Sequence, residues 1–123
     1  MTRSVTHVAS GQHQTFHPQA GVTLRLLNGG AGCQVFLVEV AAATRCPSPP
    51  HDGMELRYVI SGTVTFTVGD REYVVAAGGT LHHPSSSPHG FRTEDGACTF
   101  ITVALSRNYD ITALFSGPLE GEP

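Results

Sequence analysis

Two histidines and one carboxylate, His51, Glu55 and His89, are the residues of this sequence best suited to chemistry. Such a set forms the facial triad of non-haem iron(II) oxygenases, which grips a metal on one side and leaves positions open for oxygen and substrate. The same ligands take zinc, manganese or nickel, so ligand type alone does not choose the ion. On one straight strand His51 and Glu55 would lie about 13 Å apart, at ~3.3 Å per residue. A single ion with bonds of about 2 Å could not hold both. Asp52-Gly53 is a tight-turn signal. A reversal through Asp52, Gly53 and Met54 is therefore expected to set His51 opposite Glu55 across a strand pair. His89 follows 34 residues after Glu55, and only closure of a barrel brings it near.

Other side chains are placed to shape such a site. Arg57, two residues after Glu55, faces the same way on a regular strand. It could clamp a substrate carboxylate with its planar fork or neutralise Glu55, and both readings stay open. Of His82 and His83 only one can point inward; His83, beside Pro84, is preferred as the pocket residue. Phe91, two beyond His89, is a candidate pocket wall, although a core role would look identical in sequence. Arg57, Tyr58 and His83 are the candidates for proton transfer or substrate contact. A carboxylate inside a small domain is costly unless paired or ligated, which favours a partner for Glu55.

These residues need strands to hold them. Val22 to Leu27 reads as a strand stopped by Asn28-Gly29-Gly30, and Cys33 to Val40 as a longer one rich in β-branched and aromatic residues. A proline-rich loop, Cys46-Pro47-Ser48-Pro49-Pro50, leads into the His51 region. Strands are expected at Leu56–Ile60, Thr63–Val68, Arg71–Ala76, Thr80–His83, His89–Thr93 and Ala97–Leu105, with glycine-bearing turns between most of them. Short strands at this spacing indicate an all-β sandwich or barrel. Asp110 to Phe115 is the only stretch suited to a helical turn, capped by Asp110. The organisation read from this pattern is an arm or edge strand over 1–21, a barrel over 22–106 and a C-terminal turn and tail over 107–123.

Composition narrows the function. The chain has 123 residues, 14% of them charged, with a formal net charge of −3, so it carries no electrostatic footprint for nucleic acid. It has no lysine, which excludes Schiff-base chemistry. Cys33, Cys46 and Cys98 lack CxxC spacing and are expected to be inert, reduced, buried thiols. Met1 to Ala20 is polar, without the apolar run of a signal peptide. A cytoplasmic protein without membrane attachment is expected. His7, His13 and His17 read as solvated surface residues, and Gly29-Gly30-Ala31-Gly32 as a turn, since no helix follows it to cradle phosphate.

The spacing His51-x3-Glu55-x6-Gly62, then 15 residues, then Gly78-x5-Pro84-x4-His89 resembles the paired motifs of the cupin superfamily. In that family the first motif reads G-x5-H-x-H-x3/4-E-x6-G and the second G-x5-P-x-G-x2-H-x3-N. Glu55-Leu56-Arg57-Tyr58-Val59-Ile60-Ser61-Gly62 is similar to the family's E-x-x-Y-V-L-x-G. Three positions depart: Pro49 stands at the first motif histidine, Ser86 at the P-x-G glycine and Thr93 at the final asparagine. The resemblance implies a single-domain cupin barrel of two antiparallel sheets, jelly-roll in type. It also implies up to four protein ligands on a metal, of which His51, Glu55 and His89 match.

The resulting expectation is a small metal-dependent enzyme acting on a small organic molecule, with one divalent metal, iron(II) favoured over zinc, manganese or nickel. Oxygenase chemistry of the dioxygenase type leads, ahead of isomerase, lyase or cyclase chemistry. Arg57, His83 and Phe91 would line the substrate pocket. The alternative is a non-catalytic ligand-binding or sensing cupin, since the sequence also resembles the sensor domains fused to bacterial helix-turn-helix regulators. No helix-turn-helix is read here. By resemblance a homodimer is expected.

Overall fold

The computed structural model describes residues 5–30 and 32–106, all of them strands, turns or extended segments. Among the described residues ten strands form two antiparallel sheets. They are β1 Gln14–Gln19, β2 Val22–Gly30, β3 Cys33–Val40, β4 Arg45–Ser48, β5 Met54–Ser61, β6 Thr63–Val68, β7 Arg71–Ala76, β8 Thr80–Pro84, β9 His89–Arg92 and β10 Cys98–Leu105. The six-stranded sheet runs β1-β2-β3-β10-β5-β8 and the four-stranded sheet β4-β9-β6-β7. This is the all-β, two-sheet fold expected from the alternation.

Alternation decides which side chains meet inside, because successive residues of a strand face opposite ways. On β10, Cys98, Phe100, Thr102 and Ala104 are buried, with less buried residues between them. On β5, Glu55, Arg57 and Val59 point inward. Their outward neighbours Met54, Leu56, Tyr58 and Ile60 are exposed. The core joins both sheets, with Phe36, Val38, Val59 and Phe100 from one and Val64, Phe66, Val75 and Phe91 from the other. Phe66, Phe91 and Phe100 pack edge to face, with ring centroids 5.1 Å (Phe66–Phe100) and 5.2 Å (Phe91–Phe100) apart. Such aromatic pairs add about 0.5–1.5 kcal/mol beyond the area they bury.

Register then sets the site. Glu55 lies opposite Ala104 on β10 and His83 on β8, and Arg57 lies opposite Thr102 and Leu81. A slip of one residue would turn this whole set outward. β9 places His89 opposite Ser48 of β4 and Val68 of β6.

The structure corrects several expectations. Asn28-Gly29-Gly30 does not stop β2; the strand continues to Gly30, pairing with Val35, Gln34 and Cys33 past a bulge between Leu26 and Asn28. Pairing with β3 here overrides turn propensity. The expected proline-rich loop overlaps β4, which lies at a sheet edge, where Pro47 does not interrupt an inner ladder. The segment before His51 is not paired with β5, so His51 does not sit across a strand pair from Glu55. Cys33 is exposed rather than buried. The helical turn expected at Asp110 to Phe115 lies outside the described residues. Among those residues no helix is long and apolar enough to cross a membrane.

Candidate metal centre

His51, Glu55 and His89 come together although they arrive by three routes. Glu55 is carried inward by β5 and His89 by β9. His51 comes from the segment between β4 and β5, tied to the β8–β9 connection by backbone bonds. His51 N–H donates to the Ser85 carbonyl at 2.8 Å, and Ser85 N–H donates to the Gly53 carbonyl at 2.9 Å. Gly53 makes this path possible, with φ at 110° and a backbone so close to β10 that a Cβ would lie 2.1 Å from the Leu105 carbonyl oxygen.

One ligand atom from each of the three residues falls within 4.8 Å of the others. His51 Nε2 is 3.3 Å from Glu55 Oε2, and His89 Nε2 is 3.5 Å from Glu55 Oε1. Ligands about 2.1 Å from a shared ion stand roughly 3–3.5 Å apart in octahedral or tetrahedral arrangements, so the spacing suits one ion. Each imidazole is also oriented by its far nitrogen. Nδ1 of His51 donates to the Asp52 carbonyl at 3.1 Å, and that of His89 to the Ser87 carbonyl at 2.8 Å. In the neutral ring this leaves the Nε2 lone pair facing Glu55, the outer-sphere arrangement typical of metal-binding histidines, while protonated His51 donates to Glu55 from the same atom.

Arg57 and His83 complete the cluster. His83 is buried and His82 exposed, so β8 turns His83 toward the site. Its Nδ1 donates to the Pro84 carbonyl at 2.8 Å, and its Nε2 stands 3.7 Å from Glu55 Oε1. The Arg57 guanidinium donates through Nη2 to Glu55 Oε1 at 2.5 Å, through Nη1 to Thr102 Oγ1 at 3.1 Å and through Nε to His83 Nε2 at 3.3 Å. It also lies over the Phe66 and Phe100 rings, 5.1 and 5.8 Å from their centroids, where a desolvated cation–π contact is worth about 2 kcal/mol. Of the two roles left open for Arg57, the structure shows the neutralising one.

Two candidates fall differently. Tyr58 is 46% exposed on the outer face of β5, away from the cluster, because it follows the inward Arg57. Phe91 is both core and wall: it packs on Phe100 and lines a cavity of about 50 Å³. Leu24, Phe36, Val38, Cys46, Ser48, Thr102 and Ala104 also line it, and it reaches Glu55 and Arg57. At ~30 Å³ per water, that volume holds about two waters. Thr102 escapes a motif reading, although its place in the inward series Phe100-Thr102-Ala104 marks a polar side chain in a core position.

The electrostatics follow from burial and these contacts. Burial works to raise the Glu55 carboxyl, but the Arg57 charge, the His51 bond and the His89 ring outweigh it and hold it at about 2. Burial pushes His83 and His89 below the usual imidazole value, which keeps them neutral and able to ligate. On His51 burial is outweighed by the Glu55 and Asp52 contacts, and its value rises. Burial raises the Cys46 thiol and lifts Cys98 to about 11, so both stay protonated.

A pH dependence is expected in metal-free protein. A carboxyl depressed from 4.5 to about 2 contributes stability above pH 4.5 that is lost as pH falls toward 2. The whole contribution is on the order of 3 kcal/mol. Lowered His83 and His89 act in the same direction as pH falls through 6.5, and raised His51 partly offsets them. Urea midpoints of chelator-treated protein should therefore drop from about pH 7 to about pH 2.5, with the limb below pH 4.5 missing in Glu55→Gln. A midpoint that rises over this interval would contradict the assignment.

The profile of the cupin domain family matches residues 36–104. No curated protein sequence matches the chain. Among solved structures, hydroxypropylphosphonic acid epoxidase from S. wedmorenis is 17% identical with a TM-score of 0.74, covering 82% of this chain and 59% of its own. The structure of FeII HppE is 16% identical with a TM-score of 0.75, covering 85% and 62%. An HTH_3 family transcriptional regulator from Vibrio cholerae is 18% identical with a TM-score of 0.66, covering 69% and 51%. The chain thus spans less than two thirds of each of these proteins, and at such identities the likeness is one of fold. With the match covering more than half of its length, from β3 into β10, the chain belongs to the cupin family.

Proposed function

We propose that this cupin holds one divalent transition metal on His51, Glu55 and His89 and acts on a small organic molecule, with iron(II)-dependent oxygenation as the leading chemistry. The observation that carries the reading is the shared orientation of the imidazoles of His51 and His89. Each anchors Nδ1 on a backbone carbonyl and turns Nε2 toward the buried Glu55 carboxylate. A metal bound there would supply Lewis acidity and open positions for oxygen or substrate. The chain's own residues do the remaining work. Glu55 stays ionised, Arg57 fixes its orientation, and Leu24, Phe36, Val38 and Phe91 give the adjoining cavity an apolar wall. Arg57 has N–H groups beyond the three in the bonds above, and these can meet an anionic group of a ligand entering the cavity. Epoxidase structures of the same fold, one of them an FeII form, add weight to iron. A cytoplasmic homodimer completes the reading.

Elemental analysis of tag-free protein beside His89→Ala tests it. Near-stoichiometric metal is expected in the wild type, with at least a tenfold loss in the variant. Iron would support oxygen-uptake screens, whereas zinc, manganese or nickel would move the chemistry to Lewis-acid catalysis. A second reading, a non-catalytic ligand-binding cupin, is favoured by one observation: the Arg57 guanidinium pairs with Glu55 and neutralises its charge. The fold shared with a transcriptional regulator is compatible with it. Absence of metal after anaerobic reconstitution would select this second reading.

A further inference from the structure

We propose that Arg57 sets the coordination number of this centre by holding His83 out of it, so that His83 is a latent fourth ligand released when the guanidinium is removed. The inference rests on the metal-centre reading above and concerns residues that reading leaves outside the ligand set. His83 has the features of a ligand: it is buried, its Nδ1 is anchored on the Pro84 carbonyl, and its Nε2 looks toward Glu55 Oε1. Its ring centroid is 5.4 Å from that of His89, much as His51 is 5.2 Å from His89. Yet it is not one of the three residues whose ligand atoms all lie within 4.8 Å of one another.

What separates His83 from the others is Arg57. With Nδ1 as the proton-bearing nitrogen, the Nε2 lone pair is the acceptor, and Arg57 Nε donates to it at 3.3 Å. A lone pair that accepts this hydrogen bond cannot at the same time bind a metal. Arg57 cannot easily swing aside, because Thr102 and Glu55 hold its two Nη atoms and Phe66 and Phe100 lie against its face. Pro49, two residues before His51, supplies no ligand, so His83 is the nearby imidazole able to make a fourth.

Removing Arg57 also frees Glu55 and takes away a positive charge, and both changes strengthen metal binding without any help from His83. A double-mutant cycle isolates the part that depends on His83. Full-length wild type, His83→Ala, Arg57→Met and Arg57→Met/His83→Ala are stripped with chelator and titrated with Co2+, reading affinity and visible absorption together. Arg57→Gln is carried in parallel in case the methionine variant does not fold. Arg57→Met should bind Co2+ at least tenfold more tightly than wild type, with changed visible bands that report the added nitrogen. Adding His83→Ala in that background should cost at least tenfold and restore the wild-type spectrum. In the wild-type background the same substitution should change affinity by less than threefold.

Equal affinities and spectra for Arg57→Met and the double variant would overturn the inference and leave the three-residue centre standing. A large loss in His83→Ala alone would overturn it too, by showing that His83 is already a ligand. Co2+ binding confined to the Arg57 variants and dependent on His83 would support the inference while refuting the proposed wild-type centre. No binding in any variant would overturn both.

Discussion

Glu55→Ala is expected to abolish metal binding and to destabilise the metal-free protein by about 3–5 kcal/mol, the cost of leaving one member of a buried ion pair uncompensated. Arg57 is buried beside Glu55, and its other hydrogen bonds go to neutral groups, Thr102 and His83. Without the carboxylate its charge faces two aromatic rings and a largely apolar cavity wall. The loss should reverse in Glu55→Ala/Arg57→Met, because replacing a buried pair with apolar groups is often neutral or stabilising and Phe66 and Phe100 offer methionine a favourable aromatic surface. Any metal binding that returns with it rests on His51, His89 and the released His83 and should stay at least tenfold weaker than in wild type. Urea unfolding measures the first effect and elemental analysis the second. A Glu55→Ala protein within about 1 kcal/mol of wild type would mean that water reaches Arg57 and that the pair contributes no more than a surface salt bridge.

This pair shows what could be read from the sequence and what could not. That Glu55 and Arg57 share a face follows from their spacing of two on a strand. Which role Arg57 takes depends on Thr102, and Thr102 stands beside it only through the register of β10 on β5. Strands whose alternation is bracketed by turn residues, such as Cys33–Val40, Thr63–Val68 and Arg71–Ala76, have the bounds their sequences suggest. β4 was hidden by Pro47 and Pro49, because proline argues against a strand everywhere except at an edge, and edge position is a property of the assembled sheet. The approach of His51 was illegible for the same reason. Its Asp-Gly signal suggested a local hairpin, whereas the backbone partner is Ser85, brought in by β8. The residue types of the centre are thus visible in the chain, and the contacts that orient them are long-range.

Gly53→Ala is expected to damage stability and centre together, by about 2–4 kcal/mol and about 10–100-fold in metal affinity. Two independent constraints meet at this position. The backbone is at φ 110°, where an L side chain is strained, and a Cβ would stand 2.1 Å from Leu105 O and 3.0 Å from Ser106 Cβ. The Leu105 carbonyl belongs to β10, which is paired on both sides, so the loop must yield rather than the strand. Gly53 also accepts the Ser85 N–H bond, and Ser85 in turn accepts the bond from His51 N–H. Any outward shift of residues 51–53 therefore carries His51 away from Glu55, while β5 and β9 keep Glu55 and His89 in place. A purely conformational role for Gly53 predicts lower stability with metal affinity unchanged once folding is restored by a stabilising osmolyte. A role in placing His51 predicts that the affinity loss persists in protein shown to be folded by its circular dichroism. Persistence of the loss, at a level close to that of His51→Ala, would identify this glycine as the backbone determinant of the third ligand.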